Sequence, residues 1–213
     1  ILTIILMTSF DQYTYAQAWY NASWNYRKSH VINSATGAGT NYQVMVTVNF
    51  GSGSDAGGTV YCNSLCKTDF TDIRFTASDG TTLLSHWIQS FTASNSAVFW
   101  VKVPDDLSSA NSTIYMYYGN AAATTTSSGT STFIYYDDGS TAAGWATSGT
   151  AGSSSVQGNP ANSLRAQGSS GSYLNRNTGI GPNTFTFFNV RTDAGNLGNF
   201  FFQCNAVGLG QMY

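Results

Sequence analysis

Four residues able to carry charge or move protons stand within DIRFTASDGTTLLSHWIQ: Asp72, Arg74, Asp79 and His86, with Trp87 beside the last. Only 8% of this 213-residue chain is charged, so the crowding raises the question of general acid–base chemistry by a carboxylate and a histidine. Such chemistry needs more than proximity. Hydrolysis would require a positioned nucleophile or water and an oxyanion site, and the segment carries no nucleophile-elbow pattern. All ten acidic residues are Asp, which removes the Glu pair used by many glycosidases on curved β-sheets. Alternation accounts for the four residues more simply. Ile73 and Phe75 point inward on a short strand, and Asp72, Arg74 and Thr76 point outward. Asp79-Gly80 makes a tight turn, and Leu83 to Gln89 returns as the second strand of a hairpin. On this reading Arg74 joins a surface cross-strand ion pair worth a few tenths to about 1 kcal/mol. His86, in phase with Leu84 and Ile88, is half-buried. The segment reads as a structural hairpin, and the chain as noncatalytic.

Other residue types suit binding. In AVFWVKV, Phe99, Val101 and Val103 form the more apolar face, which leaves Trp100 outward with Val98 and Lys102. An outward indole stacks on a sugar ring or a partner. STIYMYY places Tyr115 and Tyr117 on one face, so Trp100, Tyr115 and Tyr117 are the candidate ligand-binding residues, with a carbohydrate or surface glycan as target. Packing of the same rings beneath neighbouring loops is the alternative. Asp137 and Asp138 in FIYYDDGS are candidate calcium ligands, calcium favouring several oxygen donors, against the alternative of a solvated turn before Gly139. Cys62 and Cys66 in VYCNSLCKTD suit a local disulfide in a secreted chain, or two free thiols at a strand-to-loop boundary. Zinc is disfavoured, since a tetrahedral site needs four ligands and no second pair lies nearby. Asn21-Ala22-Ser23 and Asn111-Ser112-Thr113 match glycosylation sequons.

The elements that must carry these residues are strands. Ser and Thr tolerate extended backbone, Gly and Asn supply turns, and helical periodicity is missing after the first few residues. Val44, Val46 and Val48 alternate along one strand, AVFWVKV ends at Pro104, and STIYMYY stops at Gly119-Asn120. The expected fold is all-β, an antiparallel sandwich of jelly-roll or Greek-key type followed by part of a second β-sandwich. A net charge of −2 with scattered basic residues excludes the nucleic-acid-binding classes. ILTIILM is too short to span a bilayer, and Ala16-Gln17-Ala18 fits a cleavage site, so residues 1–18 read as a secretory signal. The expected address is therefore extracellular or the cell surface. The Thr/Ser/Ala-rich AAATTTSSGTST sets a boundary near Phe133, giving units 19–132 and 133–213. The second unit has strand candidates at Thr184–Val190 and Asn199–Cys204, and the chain reads as a fragment of a longer protein.

Five motifs occur in order: WNYRKSH (24–30), NYQVMVTV (41–48), TDFTDIRFTASDGTTLLSHWI (68–88), AVFWVKVP (97–104) and STIYMYYGN (112–120). Together they resemble the uncharacterised domain family DUF2341 over residues 22 to 135. Ala77 and His86 stand where an acidic and an aromatic residue are common in that family. The resemblance implies a β-sandwich module of large secreted and surface proteins of archaea and bacteria, and supplies no catalytic residue to carry over. From FIYYDDGS onward the chain looks like the start of a concanavalin-like or laminin-G-like domain. The expected function is adhesion or carbohydrate binding by a noncatalytic module. The alternatives are a spacer or assembly module joined to neighbouring surface-protein domains, or an accessory domain of a polysaccharide-degrading enzyme.

Overall fold

The computed structural model describes residues 18–148, 150–154, 163–167 and 173–175. The expected strands Thr184–Val190 and Asn199–Cys204, Cys204 itself, and all of the expected signal except Ala18 lie outside the described residues.

Two sheets dominate. The first takes β1 (Tyr26–Ile32), β4 (Arg74–Thr76) and β7 (Ser112–Tyr118) in the order β1-β7-β4, antiparallel throughout. The second takes β2 (Tyr42–Asn49), β3 (Thr59–Tyr61), β5 (His86–Thr92) and β6 (Ser96–Val103) in the order β3-β2-β6-β5. There β2 runs antiparallel to β6 but parallel to the short β3. The helical element α1 is a single turn at Gly129–Thr132, N-capped by the Ser128 side chain. Further along, β8 (Ala146–Ser148) pairs with β11 (Tyr173–Asn175), and β9 (Thr150–Ser154) with β10 (Ser163–Gln167). Among the described residues no helix is long and apolar enough to cross a membrane.

Alternation sets the core. In β6, Ala97, Phe99, Val101 and Val103 are buried while Val98, Trp100 and Lys102 are half-exposed, as the period of two requires. Val46 and Val48 of β2 and Ile114 and Met116 of β7 join the same buried cluster as Phe75 and Phe99, so both sheets share one apolar interior. The rings of Phe75 and Phe99 meet edge to face at 5.5 Å across it.

The expected hairpin from Asp72 to Gln89 does not form as read. The Asp79-Gly80 turn is present, with Gly80 at φ 77°, but pairing back onto β4 is confined to one bridge, Thr76 to Leu83. The chain then crosses to the other sheet, where His86 onward pairs with β6. β4 pairs instead with β7, Arg74 opposite Tyr117. The expected outward face of β4 is also buried: Asp72, Arg74 and Thr76 are 0%, 5% and 0% exposed. The cause is a second covering. Residues 18–24 and 120–124 fold over the far side of the first sheet, where Trp24, Tyr117 and Ala123 form a small cluster of their own.

Candidate functional site

Beneath that covering, Asp72 is a junction. Its Oδ1 accepts the Lys67 N–H at 3.0 Å, and its Oδ2 accepts those of Gly119 at 2.7 Å and Asn120 at 3.3 Å. Its backbone carbonyl accepts Trp24 Nε1 at 2.6 Å. One side chain thus ties the loop after β3 to the end of β7. Arg74 is similarly consumed. Its guanidinium donates to the carbonyls of Ile73 (2.8 Å), Thr71 (3.0 Å) and Thr124 (2.5 Å), and lies 5.2 Å from the centre of the Trp24 ring. Burial lowers its pKa, against the pull of Tyr20 and Asp72. The surface ion pair expected for Arg74 is not there. Among the described residues the ion pairs are Lys28–Asp55 at 2.9 Å and Lys67–Asp69 at 3.8 Å.

His86 is buried between Phe75 and Phe99, with ring centres 5.6 and 5.8 Å away. Desolvation, helped by the charge of Arg74, holds its pKa down at about 4, so it is neutral at pH 7. Asp79 is explained by its turn. It accepts the Thr82 hydroxyl and the N–H groups of Thr81 and Thr82, which pull its pKa to about 2. The four residues that crowd the sequence are therefore not convergent in space on a shared substrate position.

The candidate ligand-binding rings separate onto two sheets. Trp100 does face outward, as its phase predicts, with Trp87 opposite it across the ladder. The segment after α1 covers both: Phe133 approaches Trp87 at 5.5 Å and Trp100 at 6.0 Å, and Tyr136 reaches Trp87 at 5.2 Å. Trp100 Nε1 also donates to Gln89 Oε1 at 2.7 Å. On the other sheet Tyr117 is fully buried, donating to the Gly80 carbonyl at 2.8 Å and accepting from Arg27 Nη1 at 3.2 Å. Tyr115 is half-buried under the Arg27 guanidinium, 4.7 Å from its ring centre, while Trp19 lies 4.8 Å from the same guanidinium. The sequence reading missed Arg27, Trp19, Phe133 and Tyr136 as the covers of these rings. FIYY, an apolar run directly after a polar stretch, was the available signal for the last two.

Asp137 holds its own turn: Oδ1 accepts the Gly139 N–H at 2.8 Å, and Oδ2 accepts Trp145 Nε1 at 2.9 Å and the Tyr135 hydroxyl at 3.1 Å. Asp138 has its pKa lowered by the Ser140 side chain and by the Ser140 N–H that it accepts. Among the described residues no group of three His, Cys or Asp side chains is placed to hold a metal ion. Cys62 and Cys66 are both buried and present as thiols.

A concave surface lies beside the free edge of β5, distinct from a smaller one of about 270 Å³ whose walls include Tyr136, Asp137 and Asp138. The larger is a groove of about 420 Å³ whose walls include Asp69, Thr71, Ser90, Phe91, Thr125 and Ser127. The chain itself occupies the neighbouring stretch of that edge, where the Ile88 N–H donates to Ser127 Oγ and the Ser128 N–H to the His86 carbonyl. Phe91, 53% exposed, is an uncovered ring at this groove.

No curated protein and no solved structure matches the chain. Residues 69–148, which hold β4 to β7 and the covering segment with Phe133 and Tyr136, match the family model described as Domain of unknown function (DUF2341).

Proposed function

We propose that this chain is a noncatalytic module of a secreted or cell-surface protein, a β-sandwich of three and four strands that binds a carbohydrate through the groove beside β5. The observation that carries the reading is the groove's chemistry. Hydroxyls of Thr71, Ser90, Thr125 and Ser127 and the Asp69 carboxyl, which accepts from the Thr71 hydroxyl, line the same groove as the exposed Phe91 ring. Sugars present hydroxyls for such groups and a C–H face for such a ring. The noncatalytic part rests on how the ionisable groups are spent: Asp72 and Arg74 bond the backbone, and His86 is neutral among phenyl rings. Trp100, Tyr115 and Tyr117, occupied in internal packing, support the scaffold and not the ligand.

A glycan-array assay on the folded chain tests the proposal, with Phe91→Ala and Trp100→Ala compared. Binding that Phe91→Ala weakens about tenfold, and that Trp100→Ala leaves unchanged in folded protein, is the expected outcome. A folded chain that binds no glycan supports the second reading, a spacer or assembly module. Coverage of both outer faces by the chain's own aromatic residues favours that alternative.

A further inference from the structure

The loop that follows β3 carries two cysteines on either side of a strained turn. Leu65 donates its N–H to the Cys62 carbonyl at 3.0 Å, closing a turn whose central residues are both left-handed, Asn63 at φ 52° and Ser64 at φ 61°. Asn tolerates that region, whereas Ser does so at a cost. The turn is tied to the end of β2 by three further bonds, Cys62 N–H to Asn49, Asn63 N–H to Gly51 and Ser64 N–H to Phe50. Cys62 opens this turn and Cys66 follows it, and both side chains, 0% and 8% exposed, lie in the same buried cluster.

We propose that Cys62 and Cys66 form a disulfide in the mature protein, a cross-link that holds the left-handed turn closed and fastens the edge strand β3 to the segment leading into β4. The site of oxidation rests on the extracytoplasmic reading above. The oxidant is a disulfide, either a small molecule such as oxidised glutathione or an oxidoreductase. The first cysteine thiolate attacks it, forms a mixed disulfide and releases one thiol. The second cysteine then attacks its partner's sulfur, closes the Cys62–Cys66 bond and releases the second thiol. Two protons and two electrons leave the protein in all. Closure belongs to folding, before the pair is covered. Afterwards the buried Cys62 thiol, its pKa pushed up by Cys66 and by desolvation, is a poor nucleophile and out of reach.

Refolding the full chain in oxidised and reduced glutathione, then denaturing it and alkylating its free thiols, reads the pairing directly. The expected result is a loss of about 2 Da and one label where the three cysteines of the reduced chain take three. Reduction lowers the midpoint of thermal unfolding by about 4–8 °C, a shift that Cys204→Ser keeps and that Cys62→Ser or Cys66→Ser abolishes. Three labels after oxidation, or a bond from Cys204 to either residue, overturns the pairing. A pair that closes on refolding but is open in the protein isolated from its source overturns the extracytoplasmic reading and the mature cross-link, and leaves the geometry of the pairing intact.

Discussion

At Asp72, a single buried side chain replaces what would otherwise be three unsatisfied backbone donors, at Lys67, Gly119 and Asn120. Asp72→Asn cannot substitute, because its amide nitrogen would face an N–H on one side. The variant is expected to lose roughly 2–5 kcal/mol of stability in urea titration. An unchanged midpoint would refute the role given to Asp72. His86 makes a prediction of a different kind. Its folded pKa of about 4 lies below the ordinary 6.5, so between those values the unfolded chain holds more protons. Stability is therefore full above about pH 6.5 and falls as the pH drops to about 4, by on the order of 3 kcal/mol. Half-buried His30, also lowered by burial, acts in the same direction. His86→Phe should flatten most of that slope in unfolding free energies measured from pH 7 to 4, and a wild-type slope in the variant would refute the assignment. The residue types were legible in the sequence here, and their surroundings were not. Asp72 and Arg74 sit on the polar phase of a strand, and alternation assigns such a phase to water unless something covers it. What covers it comes from residues 18–24 and 120–124, some fifty residues distant on either side.

Elements repeat the lesson with more success. β2, β6 and β7 were readable because one face of each is apolar at a period of two, and Trp100 lies outward as that period demands. The return strand after Asp79-Gly80 was misplaced because the same turn residues serve a hairpin and a crossing between sheets. Gly80 shows how tightly that turn is held: a Cβ there would lie 2.3 Å from the Ala18 carbonyl oxygen, at a φ of 77°. Gly80→Ala should cost at least about 1 kcal/mol and displace the N-terminal covering, measurable as faster proteolysis near Trp19. Retained stability and protection would argue that the covering is not fastened there. The outer face of the second sheet makes the parallel case. Phe133→Ala is expected to cost about 1–3 kcal/mol and to shift tryptophan emission to the red, as Trp87 and Trp100 lose their lid. Unshifted emission would mean that other groups shield the indoles.

For the whole molecule, the expected boundary at Phe133 falls inside the packing of the second sheet, since Phe133 and Tyr136 lie on Trp87. Composition marks AAATTTSSGTST as a polar connection; in the structure this segment leaves β7 of the first sheet and delivers Phe133 and Tyr136 onto the second. A chain ending at residue 132 should therefore melt lower than one ending at residue 146, with a matching red shift in emission. Equal midpoints would place the boundary where composition puts it. The seven register pairs between β1 and β7 begin with Tyr26 opposite Tyr118, so the chain joins and leaves this ladder at one end. In an antiparallel ladder the bonds lie across the strands. Tension between the segments before Tyr26 and after Tyr118 therefore loads them singly, as on a zipper, and never all together. The first tooth is the reinforced one. Tyr26 stacks on Tyr118 at 5.4 Å, Asn25 Nδ2 holds the Gly119 carbonyl at 2.8 Å, and Asp72 grips the N–H groups just beyond. Under mechanical drag the strength of the first sheet is thus the strength of this clasp, and once it yields the remaining rungs open in turn.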